Sequence, residues 1–161
     1  MNKKIEDILN RQFNNEYYSS YLYLSMAAFF DSLNFEGFSH WMKKQAGEEM
    51  VHAMKLFDFV QERNGRMILT AVKAPETNWK SPLDAFENAL AHEKLVTSQI
   101  NKIFELSKTE KDYPTEVFIQ WFIKEQVEEE DTALKIVEKL KMIKDSKQGL
   151  LMFDSVLAKR E

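Results

Sequence analysis

The sequence predicts an all-α fold, a four-helix bundle with one long crossover plus a short C-terminal fifth helix. Three observations predict it. Glycine occurs only 4 times and proline 3 times in 161 residues, while Glu, Lys, Leu, Ala, Phe and Met are plentiful, a composition that favours helix over sheet. Apolar residues recur at helical spacing in four long segments and one short one. The breaks between the long segments are short, long and short, which makes two antiparallel hairpins joined by a crossover.

The first helix is expected over about 4–32 and ends near Asn34. The second, about 36–63, is stopped by Asn64 and Gly65. The segment that follows, NGRMILTAVKAPETNWKS, carries no helical periodicity. A helix of about 28 residues is about 42 Å long, and an extended segment of this length can run back along it. The piece MILTAV reads alternatively as a strand, and an exposed apolar crossover would suit a subunit contact. Ser81 and Pro82 supply an N-cap and first-turn proline for the third helix, about 82–108. Tyr113 and Pro114 open the fourth, about 113–142. The fifth, about 146–158, carries Leu150, Leu151, Phe153 and Leu157. It is too short to stabilise itself and is expected to pack against neighbouring subunits.

The length suits a single domain spanning residues 1–161. The absence of cysteine excludes disulfides, thiolate metal sites and a cysteine nucleophile. With 22 basic and 26 acidic residues the net charge is −4, which gives no electrostatic case for nucleic acid. The N-terminus MNKKIEDILN lacks the apolar run of a secretory signal, so a cytoplasmic protein is expected. The uncharged run YYSSYLYLSMAAFF, 17–30, is too short to span a bilayer and is rich in hydroxyls, so no membrane is expected as a partner.

One repeat stands out. The interval from Glu16 to Glu49 recurs unchanged from Glu93 to Gln126, and His52 follows Glu49 at i+3 just as Glu129 follows Gln126. Each set keeps similar distances from its hairpin turn, so on antiparallel helices all six residues fall at one height. They also fall on the apolar stripes. Glu16 lies among Leu9, Tyr23, Ala27 and Phe30; Glu49 and His52 among Phe38, Trp41, Met42, Leu56, Phe59 and Val60. Glu93 lies among Phe86, Ala89, Val96 and Ile100, and Gln126 and Glu129 share the stripe of Phe118, Ile119, Phe122, Ala133, Ile136, Val137 and Leu140. Within EQVEEED, 125–131, Glu125 and Glu130 fall on the edges of that stripe, and Glu128 and Asp131 outside it. An acidic run is by default a solvated face, but this one is not a single face.

Four buried carboxylates repel one another, and no lysine or arginine shares their stripes. Two divalent metal ions would neutralise them. Carboxylates with one imidazole and no thiolate suit iron or manganese better than structural zinc. One arrangement places Glu16 and His52 on the first ion, Glu49 between the two, and Glu93 and Glu129 on the second, with Gln126 beside a bound water or oxygen species.

On these motifs the sequence resembles the ferritin family, and most closely its bacterial non-haem members. The resemblance covers NNEYYSSYLY around Glu16, FEGFSHWMKKQAGEEMVH ending at His52, and DYPTEVFIQWFIKEQVEEED. It implies a ferritin-like bundle that assembles into a shell of 24 identical subunits. It also implies oxidation of Fe(II) by dioxygen or peroxide at an intra-subunit di-iron ferroxidase centre, and storage of ferric mineral. By the same resemblance Glu16, Glu49 and His52 bind one iron, and Glu93 and Glu129, with Glu49 bridging, the other. Gln126 matches the glutamine beside the second iron. Glu48, Glu125 and Glu128 match a third iron site, and Tyr23 a tyrosine near the centre that is a candidate electron donor.

Met50 matches the haem-ligating methionine of bacterioferritins, but the Gln126–Glu129 motif is not theirs, so a methionine in a subunit contact is expected there and haem is not. Asp112 and Glu116 are candidates for acidic pores. His40 and His92 receive no role, and packing is expected for Tyr17, Tyr18 and Tyr21. Two alternatives stay open: a discrete di-metal carboxylate redox enzyme, and a haem-binding bacterioferritin.

Overall fold

The computed structural model describes Met1–Glu161. Its helices are α1 Lys3–Ser32, α2 Glu36–Glu62, α3 Pro82–Thr109, α4 Tyr113–Ile143 and α5 Lys147–Leu157. There are no strands, and none of the helices is long and apolar enough to cross a membrane. α1 packs along α2 and α3 along α4, giving the two hairpins.

The termini follow the local chemistry. Asn2, Ser81, Asp112 and Ser146 cap α1, α3, α4 and α5 through side-chain oxygens that accept from backbone N–H groups. α1, α2 and α3 end on left-handed residues, Asn34 (φ 60°), Asn64 (φ 55°) and Lys111 (φ 52°). In each case the next N–H returns to a carbonyl in the last turn of the helix, as Gly65 does to Val60 at 2.9 Å. The left-handed residue at the end of α2 is Asn64, and Gly65 has no positive φ.

The N-terminus of α2 has no local cap. Asp154 of α5 supplies one, its Oδ1 accepting from Phe38 N at 2.9 Å. The approach is so close that a Cβ on Gly37 would lie 1.8 Å from the Asp154 carbonyl oxygen. α5 therefore packs within its own chain as well. Phe153 and Leu157 are buried in the chain's own core beside Phe38, and only the opposite face, with Leu151, Met152 and Val156, is exposed.

The crossover forms no strand, because α1 side chains meet its backbone groups. Asn10 donates to Arg66 O and accepts from Ile68 N, Asn14 donates to the carbonyls of Thr70 and Ala71, and Ser25 donates to Glu76 O. The segment thus runs along α1 from its first turns towards its C-terminal half. Met67 and Trp79 pin it to the core, while Ile68 and Leu69 are exposed.

Asp112, expected as a pore residue, is buried within the chain and has a local duty. Its carboxylate caps α4 through Thr115 N and accepts both terminal nitrogens of Arg63 at 2.9 and 3.2 Å, which holds its pKa below the usual carboxylate range. Asp112→Ala removes a cap and leaves Arg63 unpaired. An expected loss of about 1–3 kcal/mol is read as a lower urea midpoint. Glu116 is half-buried in the first turn of α4.

The interior is split. One apolar cluster gathers Leu22, Phe30, Phe38, Trp41, Phe86 and Leu140; the other gathers Ile5, Leu9, Leu56, Ile100, Ile119 and Phe122. Between them lies a polar layer.

Candidate metal centre

Each bundle helix contributes to that layer at the point where its apolar stripe is interrupted. Glu16 comes from α1, Glu49 and His52 from α2, Glu93 from α3, and Gln126 and Glu129 from α4. All six are buried. The rest of EQVEEED sits as its periodicity implies, with Glu125 and Glu130 half-buried and Glu128 and Asp131 exposed.

The ligand-type atoms converge in two groups that share one residue. Atoms of Glu16, Glu49 and His52 lie within 4.8 Å of one another, as do those of Glu49, Glu93 and Glu129. A third group of the same compactness joins His52, Glu125 and Glu129. Two of the converging atoms, Glu16 Oε2 and His52 Nδ1, are buried without a hydrogen-bond partner. His52 Nδ1 lies 3.4 Å from Glu49 Oε2, but the approach is not aligned for a hydrogen bond. Its ring is held edge-on by Trp121 and Phe122.

Five of the other carboxylate oxygens are bound by neutral donors. Gln12 Nε2 donates to Glu16 Oε1 at 2.7 Å, and Gln45 Nε2 donates to Glu49 Oε1 at 2.9 Å and Glu129 Oε2 at 2.8 Å. Gln126 Nε2 donates to Glu93 Oε2 at 3.1 Å, and the Tyr23 hydroxyl donates to Glu93 Oε1. Thr97 closes the α3–α4 side, its hydroxyl reaching Glu93 O at 3.0 Å and Glu130 Oε1 at 2.6 Å. Glu130 is therefore more than a solvated edge residue.

Without a cation the layer is electrostatically strained. Burial, then Glu49, pushes Glu16 up to about 8. Burial together with Glu93 and Glu129 pushes Glu49 well above the carboxylate range. Burial raises Glu129 to about 7 and Glu93 to about 6, the latter restrained by its hydrogen bonds from Tyr23 and Gln126. Burial, then Glu93, also raises the Tyr23 phenol.

Carboxyls raised in the folded state favour their protonated form there, so the unfolded chain ionises first as pH increases. Stability of the metal-free protein is therefore full below about pH 4.5 as far as these groups are concerned, and is lost progressively towards about pH 8. Thermal melts of metal-free protein between pH 5 and 8 should show the midpoint falling, and a flat or rising profile would contradict this electrostatic description.

The residues expected for a third iron do not close into a group of their own. Glu125 turns towards His52 and Glu129. Glu48 is exposed and paired with Arg160 at 2.5 Å, and Glu128 is exposed. Met50 is half-buried in a shallow apolar groove with Tyr17, Tyr21, Leu24 and Val72. His92 accepts or donates through Nε2 to Ser19 at 2.7 Å, with burial lowering its pKa to about 4, and His40 Nε2 meets Arg160 O.

Sequence reasoning missed Gln12, Gln45, Thr97 and Arg160. Gln12 and Gln45 carried a signal: each stands at i−4 from its glutamate, so the pair repeats in step with Glu16 and Glu49. Arg160 carried none.

Comparison with known proteins bears on this layer. A family profile described as a ferritin-like domain matches residues 6–143. The chain is 38% identical over 160 residues to a bacterial non-heme ferritin of Staphylococcus saprophyticus, covering 99% of this chain and 96% of that protein. It is 39% identical to the bacterial non-heme ferritin of Bacteroides fragilis, over 99% of each. A solved structure of an open pore ferritin from the hyperthermophilic archaeon Archaeoglobus fulgidus superposes with a TM-score of 0.99 at 52% identity, covering 100% of this chain and 99% of that one.

Proposed function

The chain belongs to the ferritin family, and on that premise we propose that it stores iron in the cytoplasm and is a ferroxidase, oxidising Fe(II) at the four-helix polar layer and holding the ferric product inside a shell of 24 subunits. One observation carries the reading: two compact donor groups share Glu49, and in the first of them Glu16 Oε2 and His52 Nδ1 are buried and unpartnered. A buried acceptor left without a donor is costly, and a divalent cation answers both orphaned atoms and the excess negative charge. The donor set, four carboxylates and one imidazole without sulfur, fits Fe(II).

In this reading Fe(II) is substrate. Glu16 and His52 hold one ion, Glu49 spans both, and Glu93 and Glu129 hold the second with Gln126 beside it. Dioxygen or peroxide takes the electrons. Gln12 and Gln45 fix the carboxylate oxygens that face away from the ions, so the ligands are oriented before iron arrives. Tyr23, hydrogen-bonded to Glu93, is the candidate donor of an additional electron. The α4 ligands are a glutamine and a glutamate where a Glu-x-x-His pair would grip more firmly, and weaker tenure lets oxidised iron move on. Glu125, adjoining His52 and Glu129, is the first step of that movement, with Glu48 and Glu128 beyond it as the third iron position. Met50 is assigned to a subunit contact rather than to haem.

The test is iron uptake with mass. Metal-free protein is given Fe(II) under anaerobic conditions and then air. A particle near 450 kDa, about 24 copies of the 19.0 kDa chain, that takes up far more than two irons per subunit is the expected result. A small oligomer saturating at two irons would contradict storage.

A further inference from the structure

The C-terminal residues return to the polar layer. Beyond α5, Arg160 lies across the first half of α2 with its guanidinium stacked 4.3 Å from the Trp41 ring centroid. It donates to Trp41 O at 3.2 Å, Gln45 Oε1 at 2.8 Å and Glu48 Oε2 at 2.5 Å. The Arg160 carbonyl meets His40 Nε2 at 2.7 Å, which fixes the backbone as well.

These contacts order the Gln45 amide. A guanidinium only donates and a carboxylate only accepts, so Gln45 has one satisfactory orientation: Oε1 towards Arg160 and Nε2 towards Glu49 and Glu129. Flipping the amide would set its NH₂ against the guanidinium and its oxygen against two carboxylates. Arg160 is thus linked through one side chain to two of the residues assigned to the metal ions.

The same guanidinium occupies Glu48, an acid on the outlet assigned above. From this geometry we propose that Arg160 is a positioning residue and an internal competitor for cation: it sets Gln45 against Glu49 and Glu129 and holds Glu48 back from metal binding until iron displaces it. The proposal rests on the di-metal reading of the layer and adds a control on how readily a third ion follows the first two. A fixed positive charge at hydrogen-bond distance from Glu48 opposes any cation approaching that carboxylate, and the opposition ends when the tail swings away. The pair is about half exposed on the glutamate side, so exchange of one cation for another requires no opening of the core.

The test uses the assembled full chain and Co(II), which binds without being oxidised under anaerobic conditions, followed by equilibrium dialysis and by its visible absorption. The parent is expected to bind two Co(II) per subunit ahead of a weaker third. Arg160→Gln should tighten the third ion by about tenfold, with two ions still binding before it, and Glu48→Gln should abolish the gain in the double variant. Arg160→Met keeps the apolar stem over Trp41 and supplies the same readout should Arg160→Gln lose stability, whereas Arg160→Lys, which retains the charge, should stay near the parent. A tail that merely docks α5 would change the melting temperature without a Glu48-dependent change in the third ion. Indifference of the third ion to Arg160→Gln and Arg160→Met, or a gain that persists without Glu48, overturns the proposal. A parent that fails to bind the first two ions overturns the di-metal reading instead.

Discussion

His52→Ala should slow oxidation of the first two Fe(II) per subunit by about 100-fold or more, while the particle mass stays that of the parent. The imidazole is the only ring-nitrogen donor among the proposed ligands, and its Nδ1 makes no hydrogen bond within the protein, so removing it takes a proposed ligand from the first ion without breaking a hydrogen bond of that atom. Truncation leaves a space beside Trp121 and Phe122. Its cost to stability falls on one buried ring and leaves the two apolar clusters intact. Glu129→Ala should act in the same direction on the second ion and also release one of the two acceptors of Gln45. Stopped-flow oxidation at two Fe(II) per subunit, with particle mass measured alongside, separates loss of the site from loss of assembly. Both variants oxidising iron at the parent rate would remove these residues from the centre.

The second large effect is on stability. Binding an ion to the folded chain alone stabilises it by about 4 kcal/mol when the ion is present at a thousand times its dissociation constant. Two such ions, in a chain of this length, should raise the thermal midpoint by on the order of 10 °C or more. The gain should increase from pH 5.5 to pH 7.5, because Glu16, Glu49 and Glu129 must lose protons that burial makes them retain. Metal therefore offsets the decline of the metal-free protein over the same interval. Differential scanning calorimetry with and without Zn(II) or Co(II) checks both the fall without metal and the growth of the gain. Glu16→Gln should lose a large part of the gain, since it removes an ion ligand whose Oε2 has no other partner. A midpoint unmoved by saturating metal would mean that the layer binds none.

The fold class was legible because long apolar stripes need one period to stay on one face. At Ser81–Pro82 and Asn64 local chemistry and tertiary structure ask for the same residue. Lys111 and Lys144 also adopt positive φ, but lysine has no turn signature, so the end at Lys111 is betrayed only by Pro114 beyond it, and the end at Lys144 only by the length of the helix. MILTAV was ambiguous because a short apolar run carries no length with which to separate strand from extended coil. Asn10 and Asn14 decided it by binding the crossover's backbone from α1. The partner of α5 was not legible: its apolar residues were visible, but Asp154 capping α2 and Phe153 beside Phe38 depend on the chain turning back at Lys144.

The polar layer was legible for a different reason. Carboxylates on apolar stripes are conspicuous, and the repeated interval brings them to one height. Gln12 and Gln45 follow the same interval, yet a neutral amide on a stripe attracts no notice until the groups it touches are known. The reach of Arg160 is a purely tertiary fact. So are the hydrogen bond from Thr97 to Glu130 and the turning of Glu125 towards His52, because edge positions on a helix do not say which neighbour they meet.

The most direct measurement is anomalous diffraction from crystals of the assembled protein soaked anaerobically in Fe(II). Two iron peaks per subunit are expected inside the polar layer, about 3.5–4 Å apart, one beside Glu16 and His52, the other beside Glu93 and Glu129, with the Glu49 carboxylate between them. A single peak, or iron found only outside the layer, would contradict the assignment of these residues as a di-iron centre.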